Sequence, residues 1–239
     1  MGNSSYTTLT RQSGLLSEMQ VVANNIANIS TTGFRREGVV FSEFVKALED
    51  DPSLSMAVGN VRVTNLEQGT LVQTGGTFDF AIEGEGFFML EGADGALLSR
   101  AGSFLPSETG ELVTSDGHRL LDSGGAPIFI PPDAATVSLA ADGTLSADGR
   151  PLTEIGLYLP SDPNDLAHRD GVRFAAPGGT EPVVEGATIL QGYVESSNVN
   201  PIAEIARMIE IQRSYEMGQQ FLTQEDERVR NVIRTIGQV

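Results

Sequence analysis

Apolar positions fall into three textures along this 239-residue chain. From about Tyr6 to Ile29 they recur at heptad spacing, with Leu9, Leu16 and Ala23 in one row and Leu15, Val22 and Ile29 in a second. Met19 and Ile26 fill the space between the rows. So broad a stripe at a helical period predicts an amphipathic helix, and Gly33 supplies a stop for it. The far end of the chain repeats the pattern at greater length. Met208, Tyr215, Leu222, Val229 and Ile236 are each seven apart, and Ile211 and Val232 sit three residues after members of that row, as a coiled-coil seam requires. Asn200 suits an N-cap and Pro201 a first helical turn. Glu204–Arg207, Glu210–Arg213, Asp226–Arg230 and Glu227–Arg230 set opposite charges one turn apart. At about 1.5 Å per residue such a helix runs roughly 50 Å, longer than a small domain needs to cover itself.

Between these helices the texture changes. From Thr77 to about Val194 short apolar stretches alternate with turn signals. Phe78–Ile82, Phe87–Leu90, Leu97–Leu98, Leu112–Val113, Ile128–Ile130, Val137–Leu139, Ile155–Leu159 and Ile189–Val194 read as strands. Asp94-Gly95, Asp116-Gly117, Asp142-Gly143, Asp148-Gly149 and Asp170-Gly171 read as turns. The fold class is α+β: an all-β middle domain inserted between N- and C-terminal α-helices that form a coiled-coil assembly domain. The divisions are an assembly helix over 1–34, a partly helical and partly extended connector over 35–76, a β-rich domain over 77–194 and a second assembly helix over 195–239. Two terminal helices with long apolar seams meet each other. Their remaining stripe is buried against copies of the chain or its neighbours, or else the pair folds back as a hairpin on the β domain.

Charge sharpens the division. The formal net charge is -17, with +1 over 1–40, -1 over 202–239 and all of the excess between them. An acidic middle excludes nucleic-acid backbones as partners, and near-neutral ends suit closely packed helices. No apolar stretch approaches the roughly 20 residues that span a bilayer, so no direct membrane insertion is expected. The first residues lack a basic start and apolar run, so no ordinary signal peptide is expected. Those features alone place the chain in the cytoplasm, unless an export route without a cleaved signal carries it out. There is no cysteine, which removes disulfides and thiolate chemistry.

Candidate chemistry is sparse. Gly84-Glu85-Gly86 lacks a third glycine and precedes a strand, so it reads as a turn and not a phosphate loop. Glu83 and Glu85 would share one face of a strand and could in principle serve as paired carboxylates on a glycan, although acidic neighbours are expected by chance here. His118 and His168 each sit beside an Asp-Gly turn without a metal spacing. No nucleophile–base set is present, which points to no catalytic, cofactor or metal site. Asn24, Asn25 and Asn28 are out of place for helix propensity alone; they fix register between packed helices or they face water.

Three blocks carry a resemblance. Residues Ala23 to Asn28, followed by Thr31-Thr32-Gly33-Phe34, resemble the N-terminal signature of the flagellar rod and hook proteins. Phe80 to Phe88, then Arg100, Gly102-Ser103-Phe104 and Gly110 to Thr114, are similar to that family's central strand pair. Asn198, Asn200 and Pro201 with Met208-Ile209-Glu210, Gln212-Arg213 and Tyr215-Glu216 resemble its closing signature. Within the family, length and ending favour the proximal-rod type over the distal rod. The resemblance implies a structural subunit, not an enzyme, whose terminal helices pack into a tubular wall with the β domain outside. It implies partners among copies of itself, other proximal-rod proteins and the distal rod protein. It also implies passage through the flagellar type III export apparatus, without a cleaved signal peptide, to the periplasmic rod of the basal body. The competing class is a β module that binds or hydrolyses peptidoglycan.

Overall fold

The computed structural model describes residues 2–46, 54–93, 95–183 and 186–236, and the chain divides into two units. The first unit comprises Met1–Ala27, Glu37–Asn65 and Asn200–Val239. It holds helix α1 (Gly2–Ala27), strands β1 (Glu37–Lys46) and β2 (Leu54–Thr64), and helix α2 (Pro201–Ile236). Asn200 caps α2 as its sequence suggests, its Oδ1 accepting from the amides of Ile202 at 3.1 Å and Ala203 at 3.2 Å. The two strands form an antiparallel ribbon from Glu37 opposite Thr64 to Lys46 opposite Leu54, with a register shift between Val40 and Phe41. A lone two-strand ribbon is marginal in water, and here it lies along α1. The described residues of the 35–76 connector therefore carry no helix, contrary to the mixed reading of the sequence; its stretch 47–53 lies outside the described residues.

The second unit comprises Asn28–Arg36 and Leu66–Val199. Its strands are β3 (Leu71–Gln73), β4 (Phe80–Glu83), β5 (Phe87–Gly92), β6 (Gly95–Ser99), β7 (Leu105–Pro106), β8 (Leu112–Val113), β9 (Val137–Leu139), β10 (Thr144–Ala147) and β11 (Arg150–Glu154). There follow β12 (Leu157–Pro160), β13 (Ala167–His168), β14 (Arg173–Ala175), β15 (Thr180–Pro182), β16 (Thr188–Gln191) and β17 (Tyr193–Glu195). A six-stranded sheet runs β13-β14-β6-β5-β12-β15 and a three-stranded sheet β11-β10-β9, while β16 pairs with β4, β17 with β3 and β7 with β8. Alternation along β5 sends neighbouring rings to opposite faces. Phe88 enters the main core edge-on to Phe104 at 5.6 Å, and Phe87 enters a smaller one edge-on to Phe174 at 6.0 Å.

Three local expectations give way. Helix α1 ends at Ala27, six residues before Gly33, so that glycine is not its cap. Ile128–Ile130 forms a single isolated bridge, Phe129 to Glu111, instead of a ladder strand. The run from Ile189 to Val194 is broken at Gly192, whose φ of +76° lets β16 and β17 take different partners. Asp94 of the first Asp-Gly turn lies outside the described residues.

Candidate functional site: an assembly interface

In the first unit, α1 and α2 run antiparallel. Asn25 is wholly buried and explains its own presence. Its Nδ2 donates to the carbonyl of Glu37 at 2.8 Å and to Glu204 Oε2 at 3.1 Å, while its Oδ1 accepts from the amide of Glu37 at 2.9 Å. One side chain thus ties α1 to the start of β1 and to α2. Further along, Arg207 Nε donates to Glu18 Oε1 at 2.7 Å, and that bond, first among its causes, raises the Arg207 pKa. Glu204, expected to pair with Arg207, is instead drawn inward to Asn25; the Asp226–Arg230 pair forms at 2.8 Å. Ile211 is buried one turn beyond Arg207, and Val21 and Val22 are buried on α1.

The expected seam is divided by this pairing. Met208, Tyr215 and Leu222 are half-buried on the side of α2 that carries Ile211 and Glu204. Val229, Val232 and Ile236 lie on the same side and are exposed, at 42%, 46% and 71%. Ile233, at 65%, extends that patch. On α1, Met19, Asn24 and Ile26 are half-buried, whereas Leu9, Leu16 and Ala23 face outward. The two heptad rows of α1 therefore do different things: the one with Val22 supports the pair, and the one with Leu9 and Leu16 is left uncovered. Sequence reading missed Gln12, Glu18 and Glu204 because they are polar residues in an apolar stripe. Their helical spacing to that stripe was the available signal.

In the second unit, the Thr-x-Gly-Phe turn is part of the β structure. Asn28 is half-buried, and its Oδ1 accepts from Thr31 Oγ1 at 3.0 Å. Gly33 has φ +71°, and a Cβ there would overlap the backbone of Arg100 and Ala101. Its amide donates to the carbonyl of Glu195 at 2.7 Å. Phe34 is buried, and Asn198 clasps the same segment: its amide donates to the Phe34 carbonyl at 3.3 Å, and its Oδ1 accepts from the Arg36 amide at 2.6 Å. Beneath the turn lie Arg35, Glu195 and Arg100, exposed by only 1%, 1% and 4%. Glu195 receives Arg35 Nη1 at 2.8 Å, Arg100 Nη1 at 3.2 Å and the amide of Gly69 at 2.8 Å. Arg35 also donates to the carbonyl of Glu67, and Arg100 Nη2 to that of Gly84 at 2.7 Å. Two guanidiniums share one carboxylate, so a positive charge remains uncompensated. Burial, the largest cause, lowers the pKa of both and brings Arg100 to about 10 against the pull of Glu195.

The candidate chemical groups are not assembled into a centre. Gly84 and Gly86 have φ of +110° and +119° and form the turn from β4 to β5. Strand β4 ends at Glu83, so Glu83 and Glu85 do not share a strand face as the sequence suggested; both are exposed. His118 Nδ1 bonds the carbonyl of Glu91 at 2.9 Å, and the His168 ring lies 5.2 Å from Phe174 and 6.5 Å from Phe34.

A terminal helical pair with uncovered apolar rows, in one chain with a β unit, fits the broad class of structural and interaction proteins. Comparison with known proteins narrows that class. Residues 6–35 match the family described as flagella basal body rod protein, 81–147 the flagellar hook protein FlgE/F/G D1 domain, and 190–235 the flagellar basal body rod FlgEFG protein C-terminal. The chain is 36% identical to the flagellar basal-body rod protein FlgF of Mesorhizobium japonicum, over 99% of each chain. It is 35% identical to FlgF of Caulobacter vibrioides over the full length of both. Identity to the rod protein FlgG of Bacillus subtilis is 30%, over 98% of each. The chain belongs to the flagellar basal-body rod protein family and is a structural rod subunit, not an enzyme.

Proposed function

We propose that this chain is a proximal-rod subunit, built into the axial drive shaft of motility through its terminal helices. One observation above all supports the reading: the last turns of α2 display Val229, Val232, Ile233 and Ile236 to solvent, on the side where α2 is elsewhere covered by α1. Contiguous exposed apolar side chains mark a surface that meets another protein. With the outward row of Leu9, Leu16 and Ala23, it supplies contacts to copies of the chain and to other rod subunits, proximal on one side and distal on the other. Asn25, Met208, Ile211, Tyr215 and Leu222 hold the pair that carries this surface, Asn200 and Pro201 start α2, and Gly33, Phe34 and Asn198 close a turn within the β unit. The assembled helices form a tubular coiled-coil wall with the β unit as an outer layer. The subunit reaches the periplasmic rod through the flagellar type III export apparatus.

Ile233→Glu tests the proposal. Ile233 is largely exposed in the single chain, so the variant folds as the parent does. In a packed wall it forfeits up to about 1.5–3 kcal/mol of apolar burial and places a carboxylate where desolvation has no compensating partner. Cells should export the subunit yet lack rods and hooks. Gln224→Glu, an exposed position outside the patch, adds the same charge and should be tolerated. Normal rods and swimming with Ile233→Glu refute the assembly reading.

A further inference from the structure

Helix α2 contains a single glycine, Gly218, near its middle. Glycine there weakens a helix by about 1 kcal/mol relative to alanine, so something other than helix formation accounts for it. Gln12 of α1 is buried, and its Nε2 donates to the carbonyl of Tyr215 at 2.9 Å, an oxygen inside the α2 ladder. The end of the Gln12 side chain lies against Gly218. A Cβ at that position would overlap Gln12 Nε2 and stand only 3.0 Å from its Cδ. The other amide atom, Oε1, is buried without a hydrogen-bond donor. A polar group kept in an apolar seam at a cost in stability is the usual signature of a register device.

We propose that Gln12 and Gly218 are the register key of the helical pair. Sliding the helices by one heptad would bring Ile211 or Glu225 under the Gln12 amide, and neither leaves the space that glycine does. The pair is then held at the level where Asn25 meets Glu204 and Glu18 meets Arg207. Followed from Gln12 to Gly2, the same register brings the start of α1 to about the level of Glu225 to Arg228. The key therefore decides how much of α2, with Val229, Val232, Ile233 and Ile236, stands uncovered. The use of that overhang rests on the assembly reading above; the key itself does not.

Cross-linking in the full-length chain tests this. The chain has no cysteine, so an introduced pair reports alone. Leu15 and Ser214 line one groove beside the key. Leu15→Cys with Ser214→Cys reports the native register, and Leu15→Cys with Phe221→Cys, seven residues on, reports a one-heptad slip. The first pair should oxidise faster than the second by roughly tenfold or more. Adding Gly218→Ala should leave helix content unchanged or higher, yet slow the first pair by roughly tenfold or more. Adding Gln12→Ala to Gly218→Ala should return it to within about threefold of the parent, because the obstructing amide is gone. The key is overturned if the first pair does not cross-link in the parent, if Gly218→Ala leaves its rate unchanged, or if Gln12→Ala fails to rescue it. Absent rods from a chain whose first pair oxidises normally would count against the assembly reading alone.

Discussion

Glu195→Gln is the most informative single change to the β unit. The side chain keeps its volume, so packing is nearly conserved. The change removes the one carboxylate between two buried guanidiniums, and the new amide turns a donor toward donors. Removing one partner of a buried ion pair costs about 3–5 kcal/mol, because the charge left behind stays desolvated. Here two such charges are left, with Arg35 Nε, Arg35 Nη2 and Arg100 Nε already lacking partners. Against a typical total stability of about 5–15 kcal/mol, the loss is a large fraction. With a urea dependence of about 1–3 kcal/mol per molar, the midpoint of the β transition should fall by roughly 2 M. Urea unfolding of the full chain followed by circular dichroism gives the midpoint. Amide exchange shows whether β3, β4 and β17, which meet around Glu195, lose protection first. Glu85→Gln is the control, since Glu85 is exposed and reaches Arg100 only by a distant attraction; it should change stability by less than about 0.5 kcal/mol. If Glu195→Gln unfolds where Glu85→Gln does, the three charges are not a desolvated network and the reasoning fails.

Two further expectations concern the same unit. Gly33→Ala should cost clearly more than Gly75→Ala, which has a similar φ of +74° but open space around it; left-handed backbone alone accounts for about 1–2 kcal/mol, and thermal midpoints of the pair should differ by several degrees. Equal midpoints would mean the approach to Ala101 is not tight. The carboxylates of Asp142, Asp148 and Asp170 are held below their ordinary 3.8 by hydrogen bonds from the Thr144 amide, the Thr136 amide and the Arg173 side chain in turn. Their folded values lie below the unfolded one, so their contribution is complete above 3.8 and is lost as pH falls through the depressed values. Asp148→Asn, which tolerates the residue's φ of +49°, should flatten the fall of the urea midpoint on acidification; an unchanged acid slope would remove Asp148 from that account.

The sequence disclosed the periods and concealed the partners. Met208 to Ile236 announced a helix and a seam, yet nothing in a heptad row says where its covering helix ends. That depends on the level at which Gln12 crosses α2. The strands of the β unit were legible where apolar residues alternate, as in Phe87 to Leu90. They were illegible where two or three residues pair at a sheet edge, as at Ala167–His168 and Thr180–Pro182. Short edge strands owe their conformation to a neighbour distant in sequence, and carry little pattern of their own. Arg35, Arg100 and Glu195 were each ordinary surface types on the page. Only the fold reveals that the three are buried together, because their separations in sequence obey no local period. Gly33 was recognised as important for the wrong reason, since a helix stop and a close backbone approach call for the same residue.

The clasp at Asn198 has a consequence for how such a chain can change over time. The segment arriving at Gly33–Arg36 and the segment leaving at Glu195–Asn198 are hydrogen-bonded to each other, so the β unit closes on itself before the chain goes on. An insert with joined ends can lengthen or shorten without moving its points of attachment, and closing a longer loop adds little entropic cost. The middle of the chain is thus free to drift in size and surface, acquiring an acidic coat or extra strands, while the terminal helices stay under separate constraint. Grafting a different β body between Leu66 and Glu195, with Arg100 and the bonds from Gly33–Arg36 to Glu195–Asn198 preserved, would leave β1, β2 and the two helices with their own contacts.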